Sequence, residues 1–169
     1  MRRVAITLTW LALTLGAASC ARFVRPSQPY VPFAAGAGTW HGYPRGEFVL
    51  RGHRCTVVTP RQVAKGVPWV WRASFLDERP EVEVALLDEA GFHVVYADVI
   101  DLCGSPAAVA QWEAVNDLMT GVHGFSERPA LTAISRGGLI AYNWAAAHPD
   151  RVACNPAQAT CPASIHRSR

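Results

Sequence analysis

Hydrophobic and polar positions divide the chain into three regions, and the middle one carries the periodicity. Residues 47–51 and 55–59 are short β-rich runs on either side of Gly52-His53-Arg54, the pattern of a hairpin. A third apolar run covers residues 67–73, after a turn at Lys65-Gly66. Pro80 then opens a helix with Glu81 and Glu83 in its first turn, where carboxylates favour the helix dipole, and Gly91 closes it. Val82, Leu86 and Leu87 are its expected buried stripe. Residues 92–97 are apolar almost without a break, as expected of a central strand covered on both faces. Ser105-Pro106 supplies an N-cap and first-turn pair for a second helix reaching about Val122. A short strand over 130–134, Ser135, and a helix from Gly137 to Ala147 follow, and residues 148–152 lead towards a sixth strand.

Strands that alternate with helices after an initial hairpin predict an α/β fold: a mostly parallel sheet with right-handed crossovers, in which Ser135 follows the fifth strand. At 169 residues and 50% hydrophobic, the chain is long enough for one domain with a substantial core. That domain is expected over 47–154, and the flanking regions read differently. Residues 1–20 have the form of an export signal, with Arg2 and Arg3, an apolar run from Val4 to Leu15, and small residues before Cys20. The run is shorter than the roughly 20 residues that span a bilayer. Small residues before a cysteine also resemble a bacterial lipobox, which would make Cys20 a lipidation site; a plain secreted product is the alternative. The expected location is exported: periplasmic, extracellular or lipid-anchored to the envelope. Residues 21–46, rich in Pro and Gly, read as an irregular linker or strap on which Trp40 and Tyr43 could pack.

Residues 155–169 carry no strand pattern and an excess of Pro, Ala, Ser and Arg. The expectation is a reading frame lost near Cys154, so that the tail is aberrant or disordered; a natural flexible tail is the alternative. Strands beyond a vestigial sixth would then be missing, leaving residues 130–134 near an open apolar edge prone to self-association.

The formal charge of +3 is concentrated at Arg2, Arg3, Arg167 and Arg169, and the remainder is close to neutral. No basic patch points to nucleic acid, and no P-loop or G-x-G-x-x-G fingerprint points to a cofactor. An oxidising compartment would allow Cys55, Cys103, Cys154 and Cys161 to be structural thiols or to form one disulfide, and none has metal-ligand spacing. His41, His53 and His123 fall in loops without partner spacing, and His93 lies within a strand as a packed or rim residue.

Ala133-Ile134-Ser135-Arg136-Gly137-Gly138, set between a strand and a helix, resembles the nucleophile elbow of the α/β-hydrolase fold, with alanine in place of the first glycine of G-x-S-x-G. Small residues two positions either side of the serine let strand and helix backbones approach. Read alone, Ser135 would be an ordinary helix N-cap, but two glycines in a first turn are poor helix formers unless close packing requires them. The resemblance covers residues 47–154, and the Trp69-Val70-Trp71-Arg72-Ala73 tract and the elbow are most similar to secreted bacterial esterase- and peptidase-type hydrolases.

The resemblance implies acyl transfer to Ser135 from a small-molecule ester or amide, with an oxyanion hole made by the N–H of Arg136 and an N–H near Ala73 or Ser74. It places Asp98 and Asp101 on the same carboxyl-end rim, as candidate pocket residues beside turn and cap roles. Trp69, Trp71, Trp112 and Trp144 sit at strand or helix positions that are more often core than substrate platform, and Trp71, just before the oxyanion loop, is the substrate-binding candidate among them. The resemblance also makes the strand ends bearing Cys55 and Cys103 neighbours. An acid and a histidine should follow the nucleophile. Asp150 is the one acidic residue after Ser135, and His148 stands at the far end of the helix, roughly 20 Å away at 1.5 Å per residue. The expected molecule is a serine hydrolase by ancestry, inactive or weakly active for want of a base, with a non-enzymatic envelope lipoprotein that binds at the rim as the alternative. Membrane contact would come through the lipid anchor at Cys20.

Overall fold

The computed structural model describes residues 28–33, 36 and 38–153. The expected leader, the lipidation site Cys20, and the tail with Cys154, Cys161 and His166 lie outside the described residues.

Among the described residues six strands form one mixed sheet: β1 (Gly38–Trp40), β2 (Tyr43–Leu50), β3 (His53–Val58), β4 (Trp69–Arg72), β5 (His93–Ala97) and β6 (Ala130–Thr132), in the order β1-β2-β3-β5-β4-β6. The first three are antiparallel neighbours, β3 pairs antiparallel with β5, and β4 pairs parallel with both β5 and β6. Helices α1 (Glu81–Glu89) and α2 (Pro106–Gly121) make the crossovers between parallel strands, and α3 (Gly137–Ala147) follows β6. An α/β fold with a mostly parallel sheet was the expectation; the α/β architecture is there, but three of the five described strand pairings are antiparallel, because β1, β2 and β3 extend the parallel β5-β4-β6 set on one side.

Alternation along the central strands sets the layers. Val58, Val70 and Val94 join Leu87 of α1 on one face, where Trp40 and Tyr43 also lie buried. Trp69, Trp71, Val57 and Val95 face the other way, onto Trp112 of α2 and Trp144 of α3. Trp71 stacks on Trp112 at 4.0 Å between ring centroids and meets Trp144 edge-on at 5.2 Å. Both α1 and the pair α2/α3 therefore cover a strand pair that is apolar on both sides, as its composition requires.

Two differences from the expected layout have local causes. The strap is partly sheet: His41 and Gly42, with φ of 46° and 81°, make a two-residue turn that pairs Trp40 with Tyr43 and brings β1 onto β2. Ser135 accordingly follows the sixth described strand rather than the fifth. The inward face of α1 also departs from the expected stripe at its start: Leu87 is buried and Leu86 packs on the core as expected, but Val82 is 51% exposed and Glu83 is fully buried. The helix is rotated so that this carboxylate, with Leu87, faces the sheet. By contrast α2 begins as expected, with Ser105 accepting from the Ala108 N–H at 3.4 Å and proline in the first turn. Beyond α3 a short 3₁₀ turn (Pro149–Arg151) returns the chain to the sheet, where the Ala153 N–H donates to the Pro129 carbonyl at 2.9 Å.

Candidate functional site

Every parallel strand of the sheet ends on one rim, and Ser135 stands there three residues past β6. Its φ is 53°, a left-handed value that a non-glycine residue adopts only under constraint. The next residue, Arg136, has φ −62°, and the Gly137 N–H closes the turn onto the Ile134 carbonyl at 3.0 Å. Positive then negative φ across the two central residues is the sign pattern of a type II′ turn, and it lifts the serine side chain out of the bend. Ser135 is exposed.

Gly137 explains why the bend is tight. A Cβ at this position would lie 2.0 Å from Ser74 Oγ, 3.1 Å from Ser74 Cβ and 3.4 Å from the Ser74 amide nitrogen. Helix α3 thus rests directly on the loop that leaves β4. The second glycine has no such role, since a Cβ on Gly138 would meet only Tyr142 at 3.9 Å. Across the same contact the Arg136 guanidinium carbon sits 5.8 Å from the centre of the Phe75 ring. The Ser74 hydroxyl is fully buried and has no hydrogen-bond partner among the described residues.

The amides near the serine separate into used and unused donors. Ala73 N–H is bonded to the Thr132 carbonyl at 2.9 Å, extending the β4–β6 ladder, so it cannot also serve an oxyanion. That removes Ala73 from the expected pair. The N–H groups of Ser74 and Arg136 have no partner among the described residues, and both lie at the elbow.

The remaining expectations fare unevenly. Trp71 is fully buried in the tryptophan cluster, so its ring is core and not a substrate platform; β4 directs it under the rim, towards α2 and α3. Asp98 and Asp101 do reach the carboxyl-end rim, but they line a separate pocket of about 280 Å³ with Gly52, His53, Arg54, Val99 and Leu102. Asp98 is two strands away from β6, about 10 Å at the usual spacing. There it is tied to the β2–β3 turn, its N–H donating to the Arg54 carbonyl at 2.9 Å and its carbonyl accepting from His53 Nδ1 at 2.9 Å. Burial, with the neighbouring Asp98 charge, pushes the Tyr96 hydroxyl up to about 12. Cys55 and Cys103 are both free: Cys55 points into the core, where burial raises its thiol to about 11, and Cys103 is exposed beyond the turn that follows β5.

No described histidine serves the serine. His148 lies 3.0 Å from Glu113 and packs on Trp144. His93 is buried against Phe125, with Nε2 3.0 Å from the Tyr30 hydroxyl. His53 and His123 are bonded to the backbone carbonyls of Asp98 and Val31. Among the described residues no group of three or more His, Cys, Asp or Glu side chains is placed to hold a metal ion.

Sequence reasoning missed one constellation entirely. Arg72 and Glu83, 3% and 0% exposed, form a buried ion pair at 2.8 Å between Nη1 and Oε1. The same carboxylate oxygen accepts from Thr132 Oγ1 at 2.5 Å, and Arg72 donates further to the carbonyls of Ser74 (2.9 Å), Phe75 (3.1 Å) and Glu78. A single charge inside the apolar run of β4, and a carboxylate on the buried side of α1, were the signals available.

No family model and no curated protein matches this sequence. Among solved structures the chain is similar to a cold-adapted esterase from an Arctic intertidal metagenomic library with zinc bound, at 12% identity and a TM-score of 0.52 over 71% of this chain and 61% of that one. A PEG-bound complex of a cold-adapted esterase from such a library matches at 14% identity and 0.52, over 71% and 63%. Epoxide hydrolase A from Mycobacterium thermoresistibile matches at 22% identity and 0.47, over 74% and 44%. The chain spans about three fifths of the length of the esterases it matches. Strand order, parallel crossovers and the strand-to-helix turn at Ser135, together with the likeness to those esterases, identify an α/β-hydrolase-like fold, incomplete relative to them.

Proposed function

We propose that Ser135 is the nucleophile of a serine hydrolase site acting on an ester or amide, and that in this chain it is weakly activated. The observation that carries the reading is the turn itself: a serine held at positive φ, with Gly137 closed against the β4 loop, the unbonded Arg136 amide next in the chain and the unbonded Ser74 amide beside Gly137. In such a site Oγ attacks the acyl carbon, its proton passes to a base, and the tetrahedral oxyanion is held by the two N–H groups. Collapse expels the alcohol or amine with a proton, and water then cleaves the acyl-enzyme. The described residues supply the nucleophile and donors but no histidine hydrogen-bonded to Ser135, so the proton transfer is the deficient step.

An oxyanion hole without its triad retains about 10³–10⁴-fold catalysis over water. Incubation with a fluorophosphonate, followed by peptide mapping, tests the proposal: phosphorus–oxygen bond formation with loss of fluoride should occur at Ser135 at least about 10²-fold faster than at Ser126. Added imidazole should accelerate it by accepting the proton. A folded chain in which Ser135 reacts no faster than Ser126 would overturn the assignment. The free edge of β6, paired only to β4 among the described strands and met by Ala153 at one end, is also read as a surface through which copies of the chain associate.

A further inference from the structure

The structure assigns to Arg72 the task of setting the donor loop: anchored by Glu83, it is the positioning residue that holds the Ser74 amide at the elbow. The inference rests on the reading of Ser135 as nucleophile. In a trans peptide unit the N–H points away from the C=O. Arg72 Nε holds the Ser74 carbonyl at 2.9 Å and Nη2 holds the carbonyls of Phe75 and Glu78, so the Phe75 N–H is turned away from the guanidinium. On the other side, the Ala73 N–H is fixed on Thr132. The unit carrying the Ser74 N–H lies between these two pinned units and has almost no freedom to rotate. Its nitrogen stands beside Gly137 at the start of α3.

The geometry demands arginine rather than any cation. One planar fork reaches three loop carbonyls and a carboxylate at once, which an ammonium group cannot do. Glu83 orients that fork and, through Thr132, joins it to the strand that delivers Ser135. Donor loop and nucleophile are therefore registered to one buried charge pair. Phe75 at φ 50° and Arg79 at φ 49° are held in left-handed conformations inside the clamped loop or just after it.

The test compares full-length wild type with Arg72→Lys, Arg72→Met and Glu83→Gln, and with Leu87→Ala as a core variant remote from the loop. Hydrogen exchange is measured over residues 74–78, alongside the ratio of Ser135 to Ser126 phosphonylation. Arg72→Lys keeps the charge opposite Glu83 and should stay folded, yet exchange in the loop should rise at least about tenfold and the labelling ratio should fall by a similar factor. Arg72→Met should do both more strongly and Glu83→Gln less. Leu87→Ala should lower the melting temperature with loop exchange and labelling ratio unchanged. Unaltered loop exchange in Arg72→Lys overturns the inference, whatever Ser135 does. Raised exchange with an unaltered labelling ratio also overturns it, since the loop would then move without consequence for the serine. A wild type with no Ser135 preference defeats the nucleophile assignment instead, and the exchange measurement then decides separately whether Arg72 sets the loop.

Discussion

Replacing Gly137 by alanine separates a structural elbow from an ordinary helix start. The new Cβ would lie 2.0 Å from Ser74 Oγ and 3.1 Å from Ser74 Cβ, both inside contact distance, so helix and loop must separate or Ser74 must rotate into a poorer position. Overpacking of this kind costs about 1–3 kcal/mol, against a gain of at most about 1 kcal/mol from alanine over glycine in a helix. The net expectation is a loss of about 1–2 kcal/mol, or roughly 4 °C per kcal/mol in melting temperature. Gly138→Ala is the control, because its Cβ meets only Tyr142 at 3.9 Å; it should be neutral or mildly stabilising.

The cause is exposed by repeating Gly137→Ala in Ser74→Ala and Ser74→Gly backgrounds. Alanine at 74 removes the closest atom and a buried, unpartnered hydroxyl, while glycine removes the Cβ as well. The cost of Gly137→Ala should fall along the series Ser, Ala, Gly, with a coupling energy between positions 74 and 137 of about 1–3 kcal/mol. Urea unfolding followed by tryptophan fluorescence reads it, the buried Trp71–Trp112–Trp144 cluster serving as reporter. Equal costs in all three backgrounds, or equal effects of Gly137→Ala and Gly138→Ala, would refute the close-packed elbow.

Two further outcomes are expected. Burial lowers the His93 imidazole to about 4 from its ordinary 6.5, so between these values the unfolded chain binds the additional proton and stability falls as the pH drops, by roughly 3 kcal/mol in all. Urea midpoints from pH 7 to 4 should show the slope in wild type and not in His93→Phe; an unchanged slope in the variant assigns it elsewhere. The exposed edge of β6 should make the chain associate reversibly, and sedimentation velocity that stays monomeric across a hundredfold range of concentration would count against that.

The readable parts of this fold are those fixed by contacts close in sequence. Ser105-Pro106 cap α2, the continuous apolar run of β5 marks a covered strand, and the turn at Gly52 marks a hairpin, each through residues within a few positions. The expected roles that failed depend on partners far along the chain. Ala73 lost its donor role because β6, some sixty residues later, takes its N–H, and Trp71 lost its rim role because α2 and α3 close over it. The strand of Cys55 and the strand that precedes Cys103 are neighbours as expected, with Cys55 opposite Ala97, yet Cys103 stands beyond the turn after β5 and is exposed while Cys55 faces the core. Strand adjacency does not determine side-chain direction.

The same distinction governs the candidate site. The A-x-S-x-G segment is legible because the bend is local, its turn closing from the Gly137 N–H to the Ile134 carbonyl across Ser135 and Arg136. The proposed second donor is a different matter, since the Ser74 amide stands beside Gly137 only when the β4 loop is folded back and held. Arg72 does this from within an apolar strand, and its charge is tolerable there only because α1 turns Glu83 inward, at the expense of exposing Val82. The departure of α1 from its apolar stripe and the placement of the donor loop are thus one event. Ser74 in turn is the surface on which Gly137 closes, so the buried pair underlies the elbow as well as the loop beside it.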